Sequence, residues 1–208
     1  MRRVPSLTSL QAAADIIRRG GVVAIPTDTL YGLAVDPRSS EAIARLFAVK
    51  GRTAERAVAL ISADVAQVLA HIGPLPASAG RLASEYWPGP LTLLLQRPST
   101  IPAELTGGSD RIGVRVPDHD VARALCRACG HPLTATSANL SGQPPSDDPN
   151  HIEKVLASSG VDLLLDAGRT PGGPPSTIVD VLADGALHLI RPGAIDFDEV
   201  QACASARR

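Results

Sequence analysis

The spacing of apolar positions along this chain switches repeatedly between helical and extended patterns, and each switch marks an element. A helix is predicted from Thr8, with Ile16 and Ile17 on its apolar face. Thr8 and Gln11 have capping-box spacing, and Gly20-Gly21 end the segment. Residues 22–25 form an unbroken apolar run and read as a buried strand. Residues 39–49 read as a second helix, capped by Ser39 or Ser40, with Ile43, Leu46 and Phe47 facing inward and Lys50 at its end. A strand at 57–61 and helices at 63–71 and 77–86 follow.

Pro88-Gly89-Pro90 then breaks the chain before a strong strand at 91–95. A further strand is predicted at 112–116, and Asp118 is placed to cap a helix that runs to Cys129 and closes on Gly130. A short strand at 133–136 enters Ser137-Ala138-Asn139-Leu140-Ser141-Gly142, followed by a Pro- and Asp-rich loop at 143–150. A helix at 151–158, a strand at 163–165, a Gly/Pro loop at 168–175, strands at 176–182 and 187–190 and a helix at 196–206 complete the pattern. Interleaved strands and helices give an α/β class, and the late strand pair around Asp184-Gly185 implies a mixed sheet. No internal repeat or dividing linker is visible, so one domain over 1–208 is expected, with its core at about 10–195. The segments 99–110 and 166–175 are rich in Gly, Pro, Ser and Thr and are expected to be the most mobile.

The 208 residues are 44% hydrophobic but only 2% aromatic, so Ala, Val, Leu and Ile must fill the core. A net charge of -1 gives no global basic signature for nucleic acid, and RNA contact would need a local patch. Cys126, Cys129 and Cys203 are an odd number without a secretory leader, which points to the reducing cytoplasm. No apolar run approaches the roughly 20 residues of a membrane span.

The candidate chemistry begins at Pro26-Thr27-Asp28-Thr29-Leu30-Tyr31-Gly32-Leu33, followed by Lys50-Gly51-Arg52. Of 20 basic residues, only Lys50 and Lys154 are lysine. A compact ammonium beside a planar guanidinium suits a polyphosphate, although cations also end helices for purely local reasons. Ser137 to Gly142 follow a strand, where hydroxyls and backbone N–H groups hold anions or simply close a turn. Arg115 lies inside an apolar strand and must have an anionic partner, either a structural Asp or a ligand carboxylate. Ser176, Thr177 and Asp180, and Arg191, are further polar groups at strand ends. Cys126 and Cys129 have C-x-x-C spacing without a second pair, and the five His are scattered, so no metal site is expected. No Walker loop, G-x-G-x-x-G or G-x-S-x-G motif is present.

Taken in order, these segments resemble the YrdC/TsaC family, the threonylcarbamoyl-AMP synthases, in its short single-domain form. The resemblance rests on residues 20–33, Lys50-Gly51-Arg52, Trp87-Pro88-Gly89-Pro90-Leu91-Thr92, Val114-Arg115-Val116-Pro117, residues 136–142, Ser176-Thr177-Ile178-Val179-Asp180 and Arg191-Pro192-Gly193. It implies a twisted mixed sheet flanked by helices, with a concave basic face. It implies a cytoplasmic nucleotidyltransferase that joins L-threonine, bicarbonate and ATP, with Mg2+, into threonylcarbamoyl-AMP and pyrophosphate. A transferase complex would then modify adenosine 37 of tRNAs that read ANN codons, and tRNA or double-stranded RNA could meet the basic face directly.

By position, the resemblance assigns Lys50 and Arg52 to catalysis and to the ATP phosphates. Ser137, Asn139, Ser141 and Arg191 would complete the ATP site. Thr29, Tyr31, Arg115 and Ser176 would surround threonine, with Arg115 on its carboxylate. Two positions depart from the family pattern. Thr53 stands where Pro is common after the K-x-R element, and Arg111 stands where a small hydroxyl residue is common. Arg111 would then be either another phosphate contact or a solvent-facing residue. Three rival readings remain: an RNA-binding factor of the same fold, a carbamoyl-transfer module and a silent paralogue.

Overall fold

The computed structural model describes residues 1–51, 57–156 and 158–206. Among the described residues, ten strands form one mixed sheet in the order β1-β8-β2-β3-β7-β4-β6-β5-β9-β10. They are β1 (Arg2–Arg3), β2 (Val23–Ile25), β3 (Gly32–Ala34), β4 (Ala59–Ile61), β5 (Leu91–Gln96), β6 (Arg111–Arg115), β7 (Leu133–Ser137), β8 (Leu163–Leu165), β9 (Thr177–Val181) and β10 (Leu187–Arg191). The helices are α1 (Leu7–Arg18), α2 (Ser40–Lys50), α3 (Val65–His71), α4 (Ala77–Tyr86), α5 (Asp120–Cys129), α6 (Pro149–Leu156) and α7 (Phe197–Ser205). Parallel and antiparallel pairs are mixed: β1-β8-β2, β4-β6 and β5-β9 are parallel, β2-β3-β7-β4 and β6-β5 are antiparallel, and β9 and β10 form the expected antiparallel pair. Among the described residues, no helix is long and apolar enough to cross a membrane.

Side-chain alternation divides the sheet into two faces. Ala24, Leu33, Leu60, Leu93, Val114 and Val179 join the main core, which includes residues of α2, α4 and α7. Val23, Ile25, Ala34, Ile61, Leu133 and Leu163 point the other way and pack with α1 and α5. That second helix layer covers only part of its face. Further along the same face, Ala59, Ala135 and Ile178 are only half-buried.

Most helices lie within one or two residues of their predicted bounds, and the departures have local causes. The first helix is capped by Ser6, not Thr8. Ser6 Oγ accepts from the Ser9 N–H at 3.1 Å, and Ser9 Oγ accepts from the Ser6 N–H at 2.8 Å. Gln11 instead donates to Asp15. His119, not Asp118, takes the N-cap position of α5, without a side-chain cap bond. The predicted 143–150 loop gives way to helix at Pro149, where proline's missing N–H costs nothing in the first turn. Segment 99–110 holds a 3-10 turn at Ala103–Thr106 with Leu105 fully buried.

Arg111 bonds within the sheet. It pairs with Asp180 and donates to Leu94 O at 2.7 Å and Val181 O at 2.6 Å, tying β6 to β5 and β9. Hydrogen bonds to charged groups contribute about 1.5–3 kcal/mol each. Arg111→Ala is therefore expected to lower the urea midpoint clearly.

Candidate active site

A cavity of about 340 Å3 opens on the part of the sheet that α1 and α5 leave uncovered. Its floor includes Ala135, Ala59, Arg115, Thr92 and Ile178, which come from five adjacent strands. Thr29, Tyr31 and Gly32 form one side, Ser137 another, and Ser176 and Arg191 a third. The fold therefore brings together most of the residues singled out in the sequence, although they are spread from position 29 to position 191.

Arg115 is 8% exposed and has found its anion within the chain. Its Nη2 pairs with Asp28, and its Nε donates to Gly89 O at 2.9 Å. Among the described residues Nη1 has no hydrogen-bond partner, so donors remain for a ligand facing the cavity. Asp28 follows β2, and Gly89 lies in the loop after the cis Trp87-Pro88 bond. Arg115 thus ties two loops to the strand that carries it.

Arg191 contrasts with Arg115 because it pairs with no carboxylate among the described residues. Its Nη2 donates to Ser176 O at 2.7 Å and Ser176 Oγ at 3.1 Å. Burial, reinforced by repulsion from Arg115, lowers its pKa below the usual guanidinium value. Two guanidiniums against one carboxylate leave the cavity with an excess positive charge. Such a site favours an anion.

Lys50 ends α2 as expected, but it points inward. It is 3% exposed, and Nζ donates to Ser137 O at 2.6 Å, Asn139 O at 3.0 Å and Asn139 Oδ1 at 2.9 Å. An ammonium has three hydrogens to share among such acceptors. Lys50 therefore anchors the 137–139 turn from behind the cavity wall. Ser137 Oγ donates to Asn139 Oδ1 within the same turn. Ser141 is exposed and does not line the cavity; its N–H donates to Lys50 O at 2.9 Å. Arg52, and with it Thr53, lies outside the described residues.

Tyr31 is fully buried. Its hydroxyl donates to Gly168 O at 2.7 Å and accepts from the Ala167 N–H at 3.2 Å. Burial pushes the phenol up to about 12, so it stays protonated. The hydrogen of this hydroxyl is thus committed to the 166–173 strap, while Tyr31 itself lines the cavity. The same strap is held by Thr170 Oγ1 and the Gly172 N–H, both at 2.9 Å from Thr29 O, and by Arg169 pairs to Asp147 and Asp148. These bonds fasten one of the segments expected to move most. Tyr31→Phe removes two hydrogen bonds and is expected to cost about 1–2 kcal/mol, read as a lower melting temperature.

Cys126 and Cys129 are free thiols, and burial raises both pKa values, that of Cys129 to about 11. Neither has the lowered pKa of a reactive cysteine. Asp28, Gly89 and Thr92 lie within segments quoted from the sequence, which give them no individual role. The one signal was the strand-embedded Arg115, which required a carboxylate but could not say which of 21 acidic residues supplied it.

A family model described as Sua5/YciO/YrdC, telomere recombination, matches residues 15–193. The threonylcarbamoyl-AMP synthase of Pyrococcus abyssi is 35% identical over 192 residues, covering 92% of this chain and 56% of that protein. This chain therefore spans just over half the length of that relative. The synthase of Nitrosococcus oceani is 39% identical, covering 82% of this chain and 92% of that protein. Among solved structures, P. abyssi Sua5 complexed with L-threonine superposes with a TM-score of 0.89 at 33% identity, over 99% of this chain and 60% of that one. E. coli YciO gives a TM-score of 0.81 at 29% identity, over 94% and 95% of the two chains. With its sheet, its cavity and a matched span that runs from α1 past β10, this chain belongs to the Sua5/YciO/YrdC family.

Proposed function

We propose that this protein is an L-threonylcarbamoyladenylate synthase, a nucleotidyltransferase that condenses L-threonine, bicarbonate and ATP. The observation that carries the reading is the cavity with two guanidiniums and one carboxylate. It suits a reaction in which two anionic reactants must meet. Its support comes also from relatives named threonylcarbamoyl-AMP synthase and from the threonine complex of a structure that superposes closely.

The neutral threonine amine adds to CO2 derived from bicarbonate, and the adduct loses its N–H proton to water and gives a carbamate. A carbamate oxygen attacks the α-phosphorus of ATP, and pyrophosphate leaves. Positioning and charge neutralisation carry most of such a step. Arg115, held by Asp28 and Gly89, offers Nη1 to the threonine carboxylate; Thr29 and Ser176 flank it. Ser137 and Arg191 face the nucleotide, with Asn139 fixing the turn that carries Ser137. Lys50 acts in this scheme by holding that turn and by adding its charge to the field at the phosphates. Arg52 is assigned to the phosphates by family position. Mg2+ bound to ATP would supply further neutralisation of the phosphate charge beside these cations. The carbamate is already an anion, so no protein general base is required.

The product would serve tRNA modification at adenosine 37, through a transferase that takes up the adenylate in the cytoplasm. Mass spectrometry of a reaction with ATP, Mg2+, bicarbonate and L-threonine is expected to show threonylcarbamoyl-AMP. RNA binding that weakens steeply with salt, with no adenylate formed, would instead favour the RNA-binding reading.

A further inference from the structure

We propose that Thr92 is a positioning residue of this cavity: its hydroxyl donates to Ser176 Oγ, so that the Ser176 O–H and Arg191 face one anionic group of the substrate. The proposal rests on the synthase reading for the identity of that substrate, but not for the hydrogen-bond polarity itself.

Thr92 Oγ1 and Ser176 Oγ lie 2.9 Å apart, and distance alone does not say which is the donor. Their surroundings do. Thr92 is 2% exposed, and among the described residues Ser176 Oγ is the one hydrogen-bond partner of its hydroxyl. If Ser176 were the donor, the Thr92 hydrogen would have no acceptor among the described residues, at a side chain far less open to the cavity (2% exposed) than Ser176 (7%), which is costly. Thr92 as donor satisfies it. Ser176 Oγ then accepts from Thr92 and from Arg191 Nη2, and both its lone pairs are used. Its own hydrogen is left for the cavity, beside the remaining Arg191 donors.

Two backbone features make this arrangement possible. Thr92 stands beside Gly113 on the sheet, and a Cβ at Gly113 would lie 3.1 Å from Thr92 Cγ2 and 3.2 Å from Ala59 Cβ. The bare glycine leaves room for the threonine methyl, and a β-branched side chain then has little rotameric freedom for its hydroxyl. Arg191 lies where the β9–β10 register shifts between Leu189 and Arg191. Such an irregularity re-aims a side chain. Arg191 is repelled by Arg115, so the two contacts to Ser176 are what hold it over the cavity.

The test compares Thr92→Val, which keeps the shape and removes the hydroxyl, with Thr92→Ser, which keeps the hydroxyl and removes the methyl. KM and kcat are measured separately for L-threonine and ATP, and binding of each is measured by calorimetry. Thr92→Val is expected to weaken one substrate by about five- to tenfold, roughly one hydrogen bond, with kcat changed less than about twofold. Thr92→Ser should restore most of that affinity, and Gly113→Ala should weaken the same substrate as Thr92→Val. A shift for L-threonine identifies the anion as its carboxylate and moves Arg191 to the threonine side; a shift for ATP identifies a phosphate and moves Ser176 to the nucleotide side. Equal shifts in Val and Ser, or a lower melting temperature with both affinities intact, would overturn the proposal. Loss of catalysis with calorimetric binding retained would count against the synthase reading alone. Failure of the unsubstituted protein to bind either ligand would overturn both.

Discussion

Arg115→Ala is expected to destabilise the fold by about 3–5 kcal/mol, the usual cost of removing one partner from a buried ion pair. The loss comes less from the arginine than from what it leaves behind. The carboxylate of Asp28 has 10% side-chain exposure, and its ion-pair partner among the described residues would be gone. Gly89 O would lose its donor as well. Total stabilities of about 5–15 kcal/mol are normal, so the variant should fold but melt much earlier. The same change should raise the L-threonine KM far more than the ATP KM. The double variant Arg115→Ala/Asp28→Ala separates these effects, because it removes the stranded charge. It should recover much of the stability by urea titration and none of the threonine affinity. Recovery of both would show that Arg115 is purely structural.

The second large effect is expected at Lys50. Lys50→Ala removes the ammonium that joins Ser137 O, Asn139 O and Asn139 Oδ1; Ser137 O keeps the Asn139 N–H and Asn139 Oδ1 keeps the Ser137 hydroxyl, so Asn139 O is the acceptor stripped of its donor among the described residues. A buried polar group left unsatisfied costs about 1–3 kcal/mol. The 137–139 turn should loosen, and with it Ser137 at the cavity wall. We expect pyrophosphate release to fall at least about a hundredfold, comparable to loss of one preorganised donor at a reacting centre. Thermal melting should shift down in parallel. An unchanged melting temperature with an ATP-specific defect would return Lys50 to the direct phosphate contact that its sequence position suggests.

Local chemistry made much of the fold legible. The Ser39 cap, the inward Ile43, Leu46 and Phe47 and the Gly51 end of α2 all lie within one segment, and each acts on its neighbours. What could not be read depends on distant pairing. Gly32 begins a strand because Ile25 and Ser137 flank it, not because glycine favours one. Arg2 and Arg3 form an edge strand because Leu164 and Leu165 offer a ladder and Asp166 pairs with Arg2. The first-helix cap fell to Ser6 because two serines there can bond each other reciprocally, a choice invisible in the Thr8 and Gln11 spacing. At the site, the need of Arg115 for an anion was legible, whereas Asp28 lies 87 residues away. The inward turn of Lys50 likewise depends on a loop 87 to 89 residues distant.

The most direct measurement is pyrophosphate release by the purified protein with ATP, Mg2+ and bicarbonate, with and without L-threonine, using L-serine as a control. The account predicts release that requires L-threonine and is much weaker with serine. Release independent of any amino acid, or no release together with melting temperatures unmoved by ATP and by L-threonine, would contradict it.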